Sequence, residues 1–520
     1  MKKRLFLIPG MVLLTFLLQS GFSSASQYEE RTCTLYGHFL EWEVSNSDFD
    51  GNPYDIIAKV VFDHSGSNEK RITGMFYDGG NTWKFRFTGT RAGKWTFTTV
   101  SDDPDLNGHT GSIKVIDNPD SKANGFITNV GNKWVWGGTN QPFSPQYVMY
   151  KTPDVFTGDE KQIDEDITEF IVEHGFSGFH VPTIAMGWFD INFTREGNIP
   201  INQFKGYNLI ESDDPNPDPR TFEALELLIT KTYRAGGGVH IWKWGDQQRK
   251  LTPFRWGTNK KADQRLQRYI AARLGPLPGW TMGYGFDLYE WVTEEQLTSW
   301  HDFMHEHFGW THLLGARSYH DQLTQISDAL DYASYQQHRP DYETYVKTIM
   351  TRLDKPAFSE DRFRIRDSPR HRNKDYDTTR TRRGLWHSTM AGGVANIWGC
   401  QHDGKINYGH SIPYPNKEQI KTWSIFFNDN NRLRLNMTPS TNITNGCALV
   451  DASQKHFVFY TEDSHQISMD LSDMKSRQQV IAVDTKKAYK EIGLGRLKPK
   501  SHNLTLPYES DWAIAVGKFN

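Results

Sequence analysis

Two glutamates follow strand-like runs: Glu290 in Gly285-Phe286-Asp287-Leu288-Tyr289-Glu290-Trp291, and Glu360 in Lys355-Pro356-Ala357-Phe358-Ser359-Glu360. A pair of carboxyl groups on either side of one glycosidic bond can do two jobs. One protonates the leaving oxygen, and the other attacks carbon or activates water. Taken singly, each glutamate reads equally well as a solvated acid at a helix start, where the exposed backbone N–H groups favour negative charge. The chemistry lies in the pair. Directly after Glu360 the chain turns basic: Asp361 to Gly384 holds nine Lys or Arg and four Asp. A second basic segment carries Arg249, Lys250, Arg255, Lys260, Lys261, Arg265 and Arg268. Guanidinium groups grip sulfate and carboxylate through paired hydrogen bonds. The whole chain carries a formal charge of −3, so any positive potential must be local. The two segments together predict an anionic substrate; the alternative is solvated loops with internal ion pairs.

The elements that must position these groups alternate between strand and helix. Trp134-Val135-Trp136 opens the pattern. Helical spacing follows at 164–174, 221–235, 293–308, 342–352 and 384–390, with strand-like runs at 178–182, 238–242, 280–289, 312–316, 332–335, 355–359 and 394–398. About eight β-α units fit a TIM (β/α)8 barrel, whose active sites lie at the carboxyl ends of the strands. A doubly wound sheet would need a glycine-rich fingerprint opening a helix, whereas Gly236-Gly237-Gly238 precedes a strand. The barrel rule turns strand ends into candidates. Glu290 and Glu360 are the catalytic pair. Candidate substrate contacts are His180 on strand two, Trp242 and Lys243 on strand three, Tyr289 after strand four, and Arg317 on strand five. Tyr335 and His338 on strand six, Arg362 and Arg364 after Glu360, and Trp398 on strand eight complete the set.

The expected architecture is multidomain. Residues 1–25 read as a cleaved signal peptide, with a basic start, an apolar run from Leu5 to Leu18 and small residues at Ser23-Ser24-Ala25. An N-terminal β-sandwich is expected over 30–118, where short alternating strands are separated by turn clusters. The catalytic barrel is expected over 122–440 and a small C-terminal β domain over 441–520. The mature chain is expected to be exported, with no stable membrane insertion and no nucleic-acid partner. Three cysteines, Cys33, Cys400 and Cys447, are too few and too far apart for a zinc cluster or a dense disulfide framework. His301 and His305 stand four apart, but no third ligand accompanies them in a zinc-protease pattern, so that helix reads as a surface helix. No metal or cofactor is expected, since glycoside hydrolysis needs none.

The layout resembles the superfamily of retaining (β/α)8 glycosidases, which carry the acid/base after strand four and the nucleophile after strand seven. The resemblance covers the barrel, about three fifths of the chain, and implies acid/base for Glu290 and nucleophile for Glu360. It also implies a nucleophile-steadying role for Tyr335 or His338 and a subsite floor for Trp398. The chain departs from the pattern at Tyr289, where the superfamily usually has Asn before its acid/base, and Asp287 and Glu294 lie close enough to compete with Glu290 for the acid role. The flanking β domains are similar to those of secreted hydrolases of sulfated algal polysaccharides. The implied substrate is therefore an anionic polysaccharide, with sulfated galactans of the carrageenan or agar type first. A carbohydrate-binding protein on a degenerate barrel and a polysaccharide lyase remain as alternatives.

Overall fold

A computed structural model of the chain describes residues 26–150, 160–182, 188–189, 214–244, 258–285, 288, 291–318, 327–365, 375–400 and 416–519. Residues 1–25, expected to be a signal peptide, lie outside the described set. Among the described residues no helix is long and apolar enough to cross a membrane.

The N-terminal part consists of eight strands in two sheets. These are β1 (Arg31–Thr34), β2 (Leu40–Ser45), β3 (Ala58–His64), β4 (Lys70–Gly74), β5 (Phe76–Gly79), β6 (Thr82–Phe87), β7 (Gly93–Ser101) and β8 (Thr110–Ile116). One sheet runs β1-β8-β7-β3-β4 and the other β2-β6-β5. Strict alternation makes this possible: Trp83, Phe85 and Phe87 of β6 meet Phe62, Trp95 and Phe97 across one buried core, and the residues between them face outward or a neighbouring unit.

A three-stranded antiparallel sheet follows, formed by β9 (Ile127–Val130), β10 (Lys133–Trp136) and β11 (Gln141–Pro142). This corrects one expectation. Trp134-Val135-Trp136 does not open the barrel. Its rings plug the barrel's amino end, with Trp134 and Trp136 in one cluster with Tyr147, Trp242 and Phe358. Trp134 Nε1 donates to the Ala357 carbonyl at 3.0 Å.

The barrel strands are β12 (Gln146–Met149), β13 (Gly178–Pro182), β14 (Gly238–Trp244), β15 (Trp280–Gly285), β16 (Leu314–Gly315), β17 (Ala333–Tyr335), β18 (Ala357–Ile365) and β20 (Ala395–Cys400). The short β19 (Asp375–Tyr376) pairs with the far end of β18. All eight are parallel in the order β16-β15-β14-β13-β12-β20-β18-β17. Between β16 and β17, Asp331 N–H donates to Leu314 O at 2.8 Å and Ser318 N–H donates to Ser334 O at 3.2 Å, so the sheet nearly closes on itself. Around it lie α1 (Glu160–Asp166, continued by a wider helical turn at Ile167–Glu173), α2 (Pro219–Arg234), α3 (Lys261–Leu274), α4 (Glu294–His307), α5 (Tyr342–Thr351), α6 (Thr378–Met390) and α7 (Lys417–Ser424). Their starts follow from local chemistry. Asp218 caps α2 ahead of Pro219, and Thr293 and Gln296 form a reciprocal capping box on α4.

The C-terminal part is one antiparallel sheet in the order β21 (Met437–Ser440), β22 (Cys447–Asp451), β23 (Phe457–Asp470), β26 (Ser501–Val516), β24 (Gln478–Asp484) and β25 (Ile492–Leu497). Cys33 and Cys447 are buried thiols.

Both basic segments are partly consumed in joining these units. Lys261, Arg265 and Arg268 stand on α3, where Arg265 Nη2 meets Asp55 Oδ2 at 2.6 Å and Nη1 meets Asp214 Oδ1 at 2.9 Å. Arg382 and Arg383 stand on α6, which begins earlier than the sequence pattern suggests. They hold Asp511 of β26 at 2.6 and 2.9 Å. These cations clamp the flanking sheets to the barrel.

Candidate active site

Period-two alternation on parallel strands sends His180, His240, Trp242, Tyr147, Ser334 and Phe358 into the barrel interior, and Val181, Ile241, Lys243 and Tyr335 toward the helices. Glu360, two residues after Phe358, shares its inward face, and β18 becomes irregular just there. Ser359 pairs with Asn396 and Arg362 with Ile397, so β18 spends three residues where β20 spends one. Glu360 and Asp361 are the extra pair, and a bulge of this kind re-aims side chains at a strand end.

The Glu360 carboxylate is fully buried. Trp242 Nε1 donates to its Oε1 and Ser334 Oγ donates to its Oε2. His240 Nε2 lies 3.4 Å from Oε1. Two glycines make the room. A Cβ at Gly283 of β15 would collide with Glu360 Oε1, and one at Gly315 of β16 would run into the Tyr332 ring. Burial pushes the Glu360 carboxyl up to about 7, against the opposing pull of the Ser334 and Trp242 hydrogen bonds and the Arg317 charge.

Beneath this carboxylate sits a pair of histidines. His180 Nδ1 and His240 Nδ1 are 2.8 Å apart, and His240 Nε2 is 3.0 Å from the Tyr332 hydroxyl. Burial lowers His240 to about 3, so its imidazole is neutral and carries a single N–H. When His180 donates along the Nδ1–Nδ1 contact, the His240 proton sits on Nε2 and faces Tyr332 and Glu360.

Asp361, next in the chain, gathers Arg317 and His338. Its Oδ1 is 3.5 Å from Arg317 Nη1 and its Oδ2 is 2.5 Å from His338 Nδ1. The same Arg317 Nη1 reaches the Glu360 carbonyl at 3.4 Å, and the guanidinium stands 5.7 Å from the Trp242 ring centroid.

The structure therefore brings together Glu360, His180, Trp242, Arg317 and His338 from the sequence candidates. It places three others elsewhere. Lys243 points outward and pairs with Asp263 of α3 at 2.7 Å. Tyr335 lies between β17 and the helices, in a cluster with Tyr345 and Ile349. Trp398 is fully buried outside the barrel against Phe363 and Tyr376, its Nε1 donating to Gln146. Glu290, Tyr289, and the side chains of Arg362 and Arg364 lie outside the described residues. Sequence reasoning missed Ser334, His240, Tyr332, Asp361 and the two glycines. Alternation from Trp242 would have found His240, two residues earlier on the same face.

A family model described as "Domain of unknown function (DUF5060)" matches residues 33–102, within the N-terminal sheets. No curated protein matches the sequence. Among solved structures, the chain is similar to a protein described as a "putative glycoside hydrolase" from Bacteroides vulgatus ATCC 8482, with a TM-score of 0.73 at 15% identity over 94% of this chain and 100% of that one. A structure described as a glycoside hydrolase aligns with a TM-score of 0.57 at 12% identity, covering 76% of this chain and 97% of the other. A glycoside hydrolase family 5 protein from Bacteroides vulgatus ATCC 8482 gives 0.54 at 12% identity over 76% and 94%. The likeness at these identities is one of fold: a multidomain (β/α)8 architecture with flanking sheets.

Proposed function

We propose that this chain is a retaining glycoside hydrolase that acts outside the cell after removal of residues 1–25. The observation that carries the reading is Glu360, a buried carboxylate on the inward face of the seventh barrel strand, near its carboxyl end and held by two neutral donors. In this reaction Glu360 attacks the anomeric carbon while Glu290 protonates the departing oxygen. Glu290 then takes a proton from water, which releases the sugar from Glu360. Trp242 and Ser334 fix the attacking oxygens. A carboxyl with proton affinity near neutrality is a strong enough base to bond to carbon and a good enough leaving group in the second step.

The test is replacement of Glu360 by Ala. The expected result is loss of turnover on an activated glycoside, with recovery by azide and a glycosyl azide of inverted configuration. Full turnover in the variant would place the chemistry elsewhere, and products with an unsaturated, ultraviolet-absorbing ring would make the protein a lyase.

For the substrate we take an anionic polysaccharide, with sulfated galactans first. Its support is the run Arg362, Arg364, Arg366, Arg370, Arg372 and Lys374 immediately after Glu360, because Lys261, Arg265, Arg382 and Arg383 are engaged with carboxylates between domains. Comparing matched sulfated and desulfated polymers tests this narrower part. Faster cleavage of the desulfated polymer would overturn it and leave the glycosidase reading intact.

A further inference from the structure

The far end of α4 carries a cluster that the proposed chemistry does not use. His301 and His305 lie one turn apart, and the fold supplies a third group that the local sequence does not: Asp331, just before β17. His301 Nε2 is 3.2 Å from Asp331 Oδ1, and His305 Nε2 is 2.8 Å from Asp331 Oδ2. One atom from each residue falls within 4.8 Å of the others. Two imidazoles and a carboxylate are a donor set for a borderline divalent cation, zinc before magnesium or calcium. With zinc–ligand bonds of about 2.0–2.1 Å, a tetrahedral ion spaces its ligand atoms by roughly 3.3 Å. The two spacings, 3.2 and 2.8 Å, run to different oxygens of the one carboxylate, so a small turn of the Asp331 carboxylate brings one of its oxygens to both imidazole nitrogens.

The surroundings orient these ligands as metal sites require. His301 Nδ1, on the opposite side of the ring, lies 3.0 Å from Asp302 Oδ1, the carboxylate–imidazole arrangement that aims the other nitrogen at an ion. Leu314 N–H donates to Asp331 Oδ2 at 2.8 Å and fixes the carboxylate. Side-chain exposures of 13%, 32% and 22% for His301, His305 and Asp331 leave solvent room to fill a fourth position.

We propose that His301, His305 and Asp331 bind one zinc-class divalent cation that clips α4 to the seam between the fifth and sixth barrel strands. Asp331 lies at the amino end of β17 and turns to α4, whereas Tyr332 and Ser334 turn inward to His240 and Glu360, so the ion is structural. The Asp331 N–H donates to Leu314 O at 2.8 Å, a backbone hydrogen bond that crosses the seam. An ion there ties the helix after strand four to the place where the sheet order begins and ends.

The test uses the full mature chain, stripped with EDTA and titrated with zinc chloride by calorimetry, with metal content measured after gel filtration. The expected stoichiometry is one zinc per chain, with a higher thermal midpoint on zinc addition. His301→Ala and His305→Ala should each bind roughly tenfold or more weakly and lose that midpoint gain. Absence of binding up to millimolar zinc would overturn the proposal, as would wild-type affinity in both variants. Cobalt(II) loading of the unmodified chain needs no variant. An intense visible absorption band of tetrahedral type is expected, and a weak octahedral-type spectrum would overturn the site.

Discussion

Replacing Glu360 by Gln should stabilise the protein above neutral pH. The carboxyl is fully buried, and its proton affinity is raised from 4.5 to about 7. For an acid raised in this way, the folded state holds the proton more tightly than the unfolded state. The contribution to stability is whole below pH 4.5 and is lost as pH climbs to 7. At about 1.4 kcal/mol per pH unit, the ionised carboxylate costs the fold about 3 kcal/mol at pH 8 relative to pH 4. Glutamine keeps the shape and removes the charge. Its carbonyl oxygen accepts from Trp242 Nε1, and its amide faces Ser334 Oγ, a hydroxyl that can turn from donor to acceptor. The assay is urea unfolding of both chains from pH 4.5 to 8 with the m-values compared. All other titrations cancel in the difference between the chains. The variant should gain about 3 kcal/mol on the wild type across that interval, with no turnover at any pH. Parallel stability profiles would refute the claim that Glu360 is a buried carboxylate of raised proton affinity.

The other predictions concern its neighbours. The low-pH limb of kcat/KM should report ionisation of Glu360 near 7. Ser334→Ala, which removes a hydrogen bond to the charged form, should move that limb upward by about one unit; an unmoved limb would separate Ser334 from the reacting carboxylate. Gly283→Ala drives a methyl group against Glu360 Oε1. It should cost about 1–3 kcal/mol in unfolding experiments and abolish turnover, and wild-type kcat would show that the carboxylate is not held there. Asp511→Asn removes the buried negative charge that pairs with Arg382 and Arg383. It should cost about 3 kcal/mol of stability while leaving kcat unchanged at a permissive temperature, and a fall in kcat at full stability would count against a purely structural clamp.

Seven of the barrel strands, and the placing of Glu360 near the end of the one from Ala357, were legible in the sequence because helices and strands differ in hydrophobic period; the first strand, Gln146–Met149, was missed in favour of Trp134–Trp136. The face of each strand was not. Parallel barrel strands are buried on both sides and read as continuous apolar runs, so alternation gives no inside or outside. Lys243, Tyr335 and Trp398 all point toward the helices, each one residue from an inward position held by Trp242, Ser334 and Ile397. A one-residue step exchanges the two faces. The partners of the basic segments were hidden for another reason. Local counting sees Arg265 and Arg382 but not Asp55 or Asp511, which reach them from other domains. Asp331, the third member of the histidine cluster, was hidden by the same distance in sequence.

The bulge explains how two adjacent acids come to have different surroundings. In a regular strand Glu360 and Asp361 would face opposite sides, one inward and one under a helix. With two extra residues against β20, both reach groups at the barrel's carboxyl end. Asp361 takes Arg317 and His338, at 3.5 and 2.5 Å. Glu360 is left with an indole, a hydroxyl and a neutral imidazole. Neutral donors orient a carboxylate without lowering its proton affinity as far as a direct guanidinium pair would. Asp361 thus draws Arg317 toward itself and leaves Glu360 with its raised proton affinity, the basicity that the proposed attack on carbon calls for. Asp361→Asn should release Arg317 toward Glu360, pull the low-pH limb of kcat/KM downward and reduce kcat; a limb shifted upward would mean that Arg317 stays with residue 361 and that the division of labour is wrong.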